Sequence, residues 1–340
     1  MVELSQGSKS TKVPLVTVII PAYNTENYIA EAIRSVLKQT IQDVEVIVVD
    51  DASTDNTARV AETIGDPRVK VIRLSENGGA AVARNHAIDK AQGVWVAVLD
   101  SDDWYAPDRL ETLLKVAAEY EADMVADDLF YTEGPNATPW ITHIQRSGEE
   151  INEPIVIDPS DYVRTDIPAK RGLHLGFSKV LMKRDFLNKF NIRYEDQIRL
   201  GQDFFIYLYA LACGAKFVLY PKPYYFYRYR VRPDSLVLKS QLSRLEQTCW
   251  GIQLFLEREV VRSNPSLVKA LNYKLGFCRR LRAYYRVAEP LKNGSIRQAI
   301  SAMFQNPYFF IRFLTQIPRL VTSRLSPTSQ TVLPHPNVGS

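Results

Sequence analysis

Four short β-branched runs, Leu15–Ile20, Val44–Val49, Val69–Leu74 and Val94–Leu99, alternate with helical patterns through the first third of the chain. Each run is apolar at successive positions, so both faces of the strand need cover, as in a parallel sheet packed on both sides. Between them, residues 27–38 bring Ile29, Ile33, Val36 and Leu37 to one helical face. Residues 55–64 follow a cap-like Ser53, and residues 80–91 are rich in alanine. Strand and helix in alternation, with short connections, imply right-handed crossovers and a doubly wound, mostly parallel α/β sheet. In such sheets ligands bind beyond the carboxyl ends of the strands. Those ends read PAYN (21–24), DDAST (50–54), ENGG (76–79) and DSDDW (100–104), all polar, small or acidic.

Beyond residue 130 the pattern is mixed. Residues 133–160 read as loop, 201–214 as a buried helix opened by Asp203, and PYYFYRYR (223–230) as a strand. From about residue 240 the chain reads as helical and basic. Residues 239–325 hold fifteen Lys and Arg against four Glu, a net charge of +11, which leaves −7 on the remainder. A basic tail on an acidic body points to an anionic surface. Residues 269–286 interleave Lys269, Lys274, Arg279, Arg280, Arg282 and Arg286 with Leu271, Leu275 and Leu281, and residues 308–325 mix Phe309, Phe310 and Phe313 with Arg312, Arg319 and Arg324. Such helices suit a membrane surface; packing on the acidic body with a basic outer face fits them equally.

The opening MVELSQGSKSTK lacks the apolar core of a secretory leader, and no run of about 18 apolar residues is long enough to span a bilayer. Three cysteines without CxxC spacing and four scattered histidines give neither a disulfide framework nor a zinc site. The expectation is a cytoplasmic protein, peripheral on the inner face of the cytoplasmic membrane.

Asp100, Asp102 and Asp103 close an apolar strand. Carboxylates so crowded repel one another, and a hard divalent cation relieves that repulsion. A solvated turn leading into a helix cap at Asp108 accounts for one of these acids and not for three. Asp51 reads equally as a cap or as an acceptor for a base or ribose. Asn77-Gly78-Gly79 ahead of Arg84 offers loop amides and a cation to an anionic ligand, although Arg84 alone reads as a surface ion pair. Spacing by itself makes Asp203 a helix cap before it makes it a general base.

Taken together, VTVIIPAYNTENYIAEAIRSVLKQT, VEVIVVDDASTDNT, NGGAAVARNHAI and GVWVAVLDSDDW resemble glycosyltransferase family 2 over residues 15–230. Within it the chain is most similar to bacterial exopolysaccharide glucosyltransferases of the succinoglycan type. The resemblance implies a GT-A fold on residues 15–235, with a donor half (15–130) and an acceptor half (131–235). A basic helical extension (236–325) and polar tails (1–14, 326–340) complete the expected organisation. It further implies a nucleotide-sugar donor, UDP-glucose by preference, Mg²⁺ or Mn²⁺, and a glycan or lipid-linked glycan acceptor. Pro21, Tyr23 and Asp51 match positions around the uracil and ribose; Asn77, Gly79, Arg84 and Asn85 match the segment beside the nucleotide. Asp100 and Asp102 match the DxD pair, with Ser101 between them among the donor contacts and Asp103 as an additional acid. Asp203 matches the base of a Glu-Asp motif in which Gln202 replaces the Glu. Trp104, His174 and Lys179 are candidates for the acceptor side. A sugar nucleotidylyltransferase would need a Gly-rich signature with a basic residue near the N-terminus, which PAYNTENYIAEAI lacks. A non-catalytic nucleotide-sugar-binding protein would not need the retained acids, and no nucleic-acid module accompanies the tail.

Overall fold

In the computed structural model, which describes residues 13–170, 172–229 and 241–305, the four N-terminal strands form as their sequence requires. They are β1 (Val16–Ala22), β2 (Val44–Asp50), β3 (Val69–Arg73) and β4 (Trp95–Val98). β1 pairs in parallel with β2 and β4, and β2 with β3. Side-chain alternation divides these strands between two cores. Val18, Ile20, Val46 and Val48 meet α1 (Ile29–Leu37) and α4 (Arg109–Glu119) on one face; Ile19, Ile47, Val49 and Val98 meet α3 (Ala80–Lys90) on the other. The short α2 (Thr57–Glu62) links β2 to β3. Ser53 does not cap it: the Ser53 hydroxyl accepts from the Asn24 amide at 3.0 Å, tying two strand ends together.

The sheet continues past β4 in a less regular way. Its order is β3-β2-β1-β4-β9-β6-β10-β5, with β5 (Trp104–Tyr105), β6 (Met124–Thr132), β9 (Leu181–Lys183) and β10 (Phe217–Arg228). β9 runs antiparallel to both neighbours, between β4 and β6, whereas β10 is parallel to β6. The segment read as loop, 133–160, contains real elements: β7 (Ile141–Thr142), α5 (His143–Ser147), β8 (Ile155–Ile157) and the start of α6 (Pro159–Thr165). Thr142 forms a capping box with Gln145 that starts α5 in spite of its polar sequence.

Helices α7 (Arg184–Lys189), α8 (Gln202–Ala212), α9 (Gln241–Leu256), α10 (Glu259–Arg262), α11 (Pro265–Lys292) and α12 (Ile296–Gln305) complete the described chain. The basic helices do not stand apart. Leu245, Cys249, Ile252, Phe255, Leu271, Leu275, Cys278 and Leu281 join the core that holds α6 and α8. Of the two readings of 269–286, its leucine face takes the packing one: Leu271, Leu275 and Leu281 are buried in that core. Lys274, counted there as a surface cation, is 1% exposed and bonds Asp166 at 2.9 Å. The aromatic stretch 308–325 lies outside the described residues. No described helix is long and apolar enough to cross a membrane.

Candidate active site

The carboxyl ends of β1, β2 and β4 share one sheet edge with the N-termini of α3 and α8. At the end of β2, Asp51 is buried and both its carboxylate oxygens are occupied: the amides of Gly78 and Gly79 donate to them at 2.7 Å each. The Asn77 side chain adds a bond to the Asp51 carbonyl at 3.1 Å. The loop amides expected to receive an anionic ligand therefore already hold an anion, the protein's own. Gly79 is obligatory there, with φ at +88° and Arg199 Nη1 only 2.1 Å from where a Cβ would stand. Tyr23, 48% exposed, and the buried Pro21 at the end of β1 flank this clamp.

Arg84 is no surface ion pair. Its guanidinium is buried and reaches Asp100 at 2.8 Å, Asp203 at 3.2 Å and the Gln202 side-chain oxygen at 3.2 Å. Lys179, also buried, places Nζ 2.9 Å from Asp100 and 3.0 Å from Asp203. Two acids and two cations thus close a four-membered charge cluster across elements far apart in sequence. Burial alone would disfavour ionised Asp100, but Lys179 and Arg84 hold its carboxyl well below the usual range. The same balance holds the Lys179 ammonium above its ordinary value: burial opposes it, and Asp100 and Asp203 outweigh burial. Gln202 fits this arithmetic, because a glutamate there would put a third acid beside two cations.

Asp203 does not cap α8. Gly201 is the cap residue, in a left-handed conformation with φ +73°, and no side chain caps the helix. In the first turn, Asp203 Oδ2 accepts from Lys179, while its buried Oδ1 meets Arg84 without a hydrogen-bond donor in line.

The acids at 100–103 separate into different environments. Asp103 is turned into the sheet, accepting from the Tyr225 hydroxyl at 2.6 Å and the Arg228 amide at 2.8 Å. Burial, reinforced by the charge of Asp100, pushes its carboxyl up to about 7. Arg228 Nε also holds the Asp102 carbonyl at 2.8 Å, and its guanidinium pairs with Glu31. Asp100 is engaged by the Lys179 ammonium and the Arg84 guanidinium, and Asp103 by the Tyr225 hydroxyl and the Arg228 amide of β10. Among the described residues no group of three or more His, Cys, Asp or Glu is placed to hold a metal. Asp102 is half-buried at the same turn; a Mg²⁺ carried by a diphosphate commonly takes one or two carboxylates and completes its shell with phosphate and water, and the acids that end β4 would supply them.

The remaining candidates fall elsewhere. Ser101 is buried within the turn. Asn85 bonds the Tyr194 backbone and Asp196, anchoring the 194–196 loop to α3. His174 bonds Asp166 and the Lys170 carbonyl and makes no bond to the charge cluster. The Trp104 ring stacks on Phe226, centroids 5.3 Å apart, with the Arg228 guanidinium 4.7 Å from its own centroid. A cavity of about 670 Å³ beside α3, lined by His86, Asp89, Arg193, Glu195 and Arg258 among others, includes none of Asp100, Asp102, Asp103 or Asp203. Its charges pair with each other, Arg193 with Asp89 and Arg258 with Glu195. Residues of the cluster's support that the sequence did not flag, Arg109, Asp127 and Arg228, carry no local motif; only the fold brings them near.

The family model for glycosyl transferase family 2 matches residues 17–185. The succinoglycan biosynthesis protein ExoO of Rhizobium meliloti (strain 1021) is 31% identical over 325 residues, covering 94% of this chain and 90% of ExoO. The chain belongs to glycosyltransferase family 2. It is a glycosyltransferase. Among solved structures, S. aureus TarS 1–349 in complex with UDP-GlcNAc superposes with a TM-score of 0.58 at 20% identity, over 84% of this chain and 90% of that one. The mannosyltransferase PcManGT from Pyrobaculum calidifontis, in complex with GDP-Man and Mn²⁺, gives 0.54 at 20% identity, over 92% and 81%. Both likenesses place the chain in the GT-A fold.

Proposed function

We propose that this glycosyltransferase is an inverting, divalent-cation-dependent enzyme of exopolysaccharide or other cell-surface glycan synthesis. It moves a sugar, glucose by preference, from a UDP-sugar to a hydroxyl of a lipid-linked or polysaccharide acceptor. The observation that carries this is Asp203: a carboxylate held between Lys179 on Oδ2 and Arg84 on Oδ1, its side chain 13% exposed, beside the acids that end β4. The likeness to ExoO supports the glycan class, and UDP-GlcNAc in the TarS complex supports a UDP-sugar.

In this reading Tyr23, Pro21 and the Asp51 clamp frame the nucleoside, Arg84 and Asn85 serve as framework, and Asp102 meets the cation. A bound Mg²⁺ or Mn²⁺ would neutralise charge on the diphosphate. Asp203 accepts the proton of the acceptor hydroxyl as that oxygen attacks the anomeric carbon opposite the diphosphate. The bond from the anomeric carbon to the phosphate oxygen breaks with its electron pair leaving on the diphosphate, so an α-linked donor gives a β-glycoside.

Thermal melts with nucleotide sugars and Mn²⁺ or Mg²⁺ test the donor class. At 100-fold excess over Kd, bound donor should stabilise the fold by about 2.7 kcal/mol. UDP-glucose with a cation should raise Tm and the cation alone should not; a panel in which no nucleotide sugar shifts Tm would remove the proposal.

On the acceptor side, α12 suits an anionic lipid surface. Ala299, Ala302 and Met303 pack inward on Val287 and Tyr284, while Ile296, Ile300 and Phe304 form an exposed stripe, Phe304 at 82%. Exposed Arg297 lies next to that stripe, and residues 239–325 carry the net charge of +11. Full-length protein should sediment with phosphatidylglycerol vesicles, and an I300E/F304E variant should bind at least about 100-fold more weakly, since two apolar side chains worth about 1.5–3 kcal/mol each are lost and two negative charges face an anionic surface. Equal sedimentation of the two proteins would take the membrane contact away from α12.

A further inference from the structure

Asp203 has one hydrogen-bond donor among the described residues, and it is Lys179. The helix supplies none, since α8 lacks a side-chain cap, and the Arg84 contact is an ion pair out of line for a hydrogen bond. Lys179 itself stands on a fixed base. The Tyr207 hydroxyl donates to the Ser178 carbonyl at 3.1 Å, and Arg109 Nη2 donates to the Lys179 carbonyl. Arg109 is in turn clamped by Asp127, both side chains fully buried. One residue later β9 is approached, paired on both edges. A long flexible side chain is thereby pinned at its backbone and, through Asp100 and Asp203, at its tip.

We propose that Lys179 is the positioning residue for Asp203, holding Oδ2 at 3.0 Å while Oδ1 lies buried against Arg84, so that the carboxylate keeps one orientation in the site. By bonding Asp100 with the same ammonium, it sets the distance between the base and the end of β4. This deepens the proposed function and rests on the role of Asp203 given there. Lys179 acts through Asp203; it is not itself assigned a contact with substrate.

The test compares K179M, K179Q and K179R with D203N in full-length enzyme, by steady-state transfer from UDP-glucose, or from whichever nucleotide sugar the melts select. Misaiming a catalytic group by about 1 Å costs on the order of 100-fold. K179M and K179Q should therefore lose about 10–100-fold in kcat while donor KM stays within about threefold. K179R, whose forked guanidinium can bridge two carboxylates, should recover most of the loss. Urea melts establish that each variant is folded before rates are compared. Wild-type kcat in folded K179M beside an inactive D203N overturns the positioning role and leaves the base in place. An active D203N overturns the base itself. A raised donor KM with unchanged kcat makes Lys179 a substrate ligand, which also overturns the inference. If K179M and K179Q do not fold, K179R decides: a kcat lowered about two- to threefold with a displaced pH–rate profile at unchanged donor KM supports the positioning role, and a kcat and pH–rate profile both at wild-type values overturn it.

Discussion

Asp203→Asn is expected to lower glycosyl transfer by about 10²–10⁴-fold, the usual contribution of a positioned general base. The change is close to isosteric, so the charge cluster is perturbed and not emptied. Lys179 and Arg84 keep Asp100, and the asparagine side-chain oxygen can still accept from Lys179. What disappears is the ability to take a proton from the acceptor. The proposed donor site lies at the ends of β1, β2 and β4, so a UDP-sugar should still be titrated by calorimetry with an affinity within a few-fold of wild type. The split decides the role: lost turnover with retained donor binding assigns Asp203 to chemistry. Near-normal turnover would remove it from the base position, and loss of both together would make it a residue of the donor site.

The donor half was legible in the sequence because its physics is local. In β1, β2 and β4 nearly every position is buried, so composition alone marked the strands, and helix ends fell within a few residues of the expected ones. β9 left no such mark. Three residues, Leu181–Lys183, are too few for a period, and only pairing on both edges makes them a strand. The loop reading of 133–160 failed because its elements are two to seven residues long and start from caps.

For the site, the sequence identified the acids but misplaced their partners. Arg84 looked like a surface residue because its counter-ions, Asp100 and Asp203, come from another strand end and a distant helix. Asp203 looked like a cap because caps are decided by sequence position, whereas Gly201 in a left-handed turn moves the helix start past it. The three acids at 100–103 looked like one cation site because spacing cannot show that Asp103 turns inward to Tyr225. The basic helices divided in the same way. Their charge was countable, but whether Leu271, Leu275 and Leu281 face lipid or protein was settled only by packing against α6 and α8.

Asp127→Ala should cost about 3–5 kcal/mol of stability, the penalty for leaving a buried partner charge uncompensated. Arg109 is fully buried against the rings of Tyr105, 4.2 Å from its guanidinium carbon, and Tyr225, at 5.3 Å. Two guanidinium nitrogens bond Asp127, which also accepts from the Tyr224 amide at 3.2 Å. Burial would lower the arginine's pKa, yet the adjacent carboxylate holds it above its ordinary value, so the charge persists in the native state. Without Asp127 that charge faces two rings and a single carbonyl, that of Lys179. Urea unfolding should show the loss as a lower midpoint at constant slope. A midpoint corresponding to less than about 1 kcal/mol would mean that water or a side-chain shift solvates Arg109 and that the pair is not a structural core element. Replacing both partners, R109M with D127L, should return much of the stability, because a buried pair exchanged for packed apolar side chains is often neutral or better. Transfer activity should not return with it. The Lys179 carbonyl would still lack its donor, and with it the support beneath the residue that aims Asp203. Stability restored without turnover would separate what this ion pair does for the fold from what it does for the site, whereas turnover restored in step would show that the site needs only an intact core.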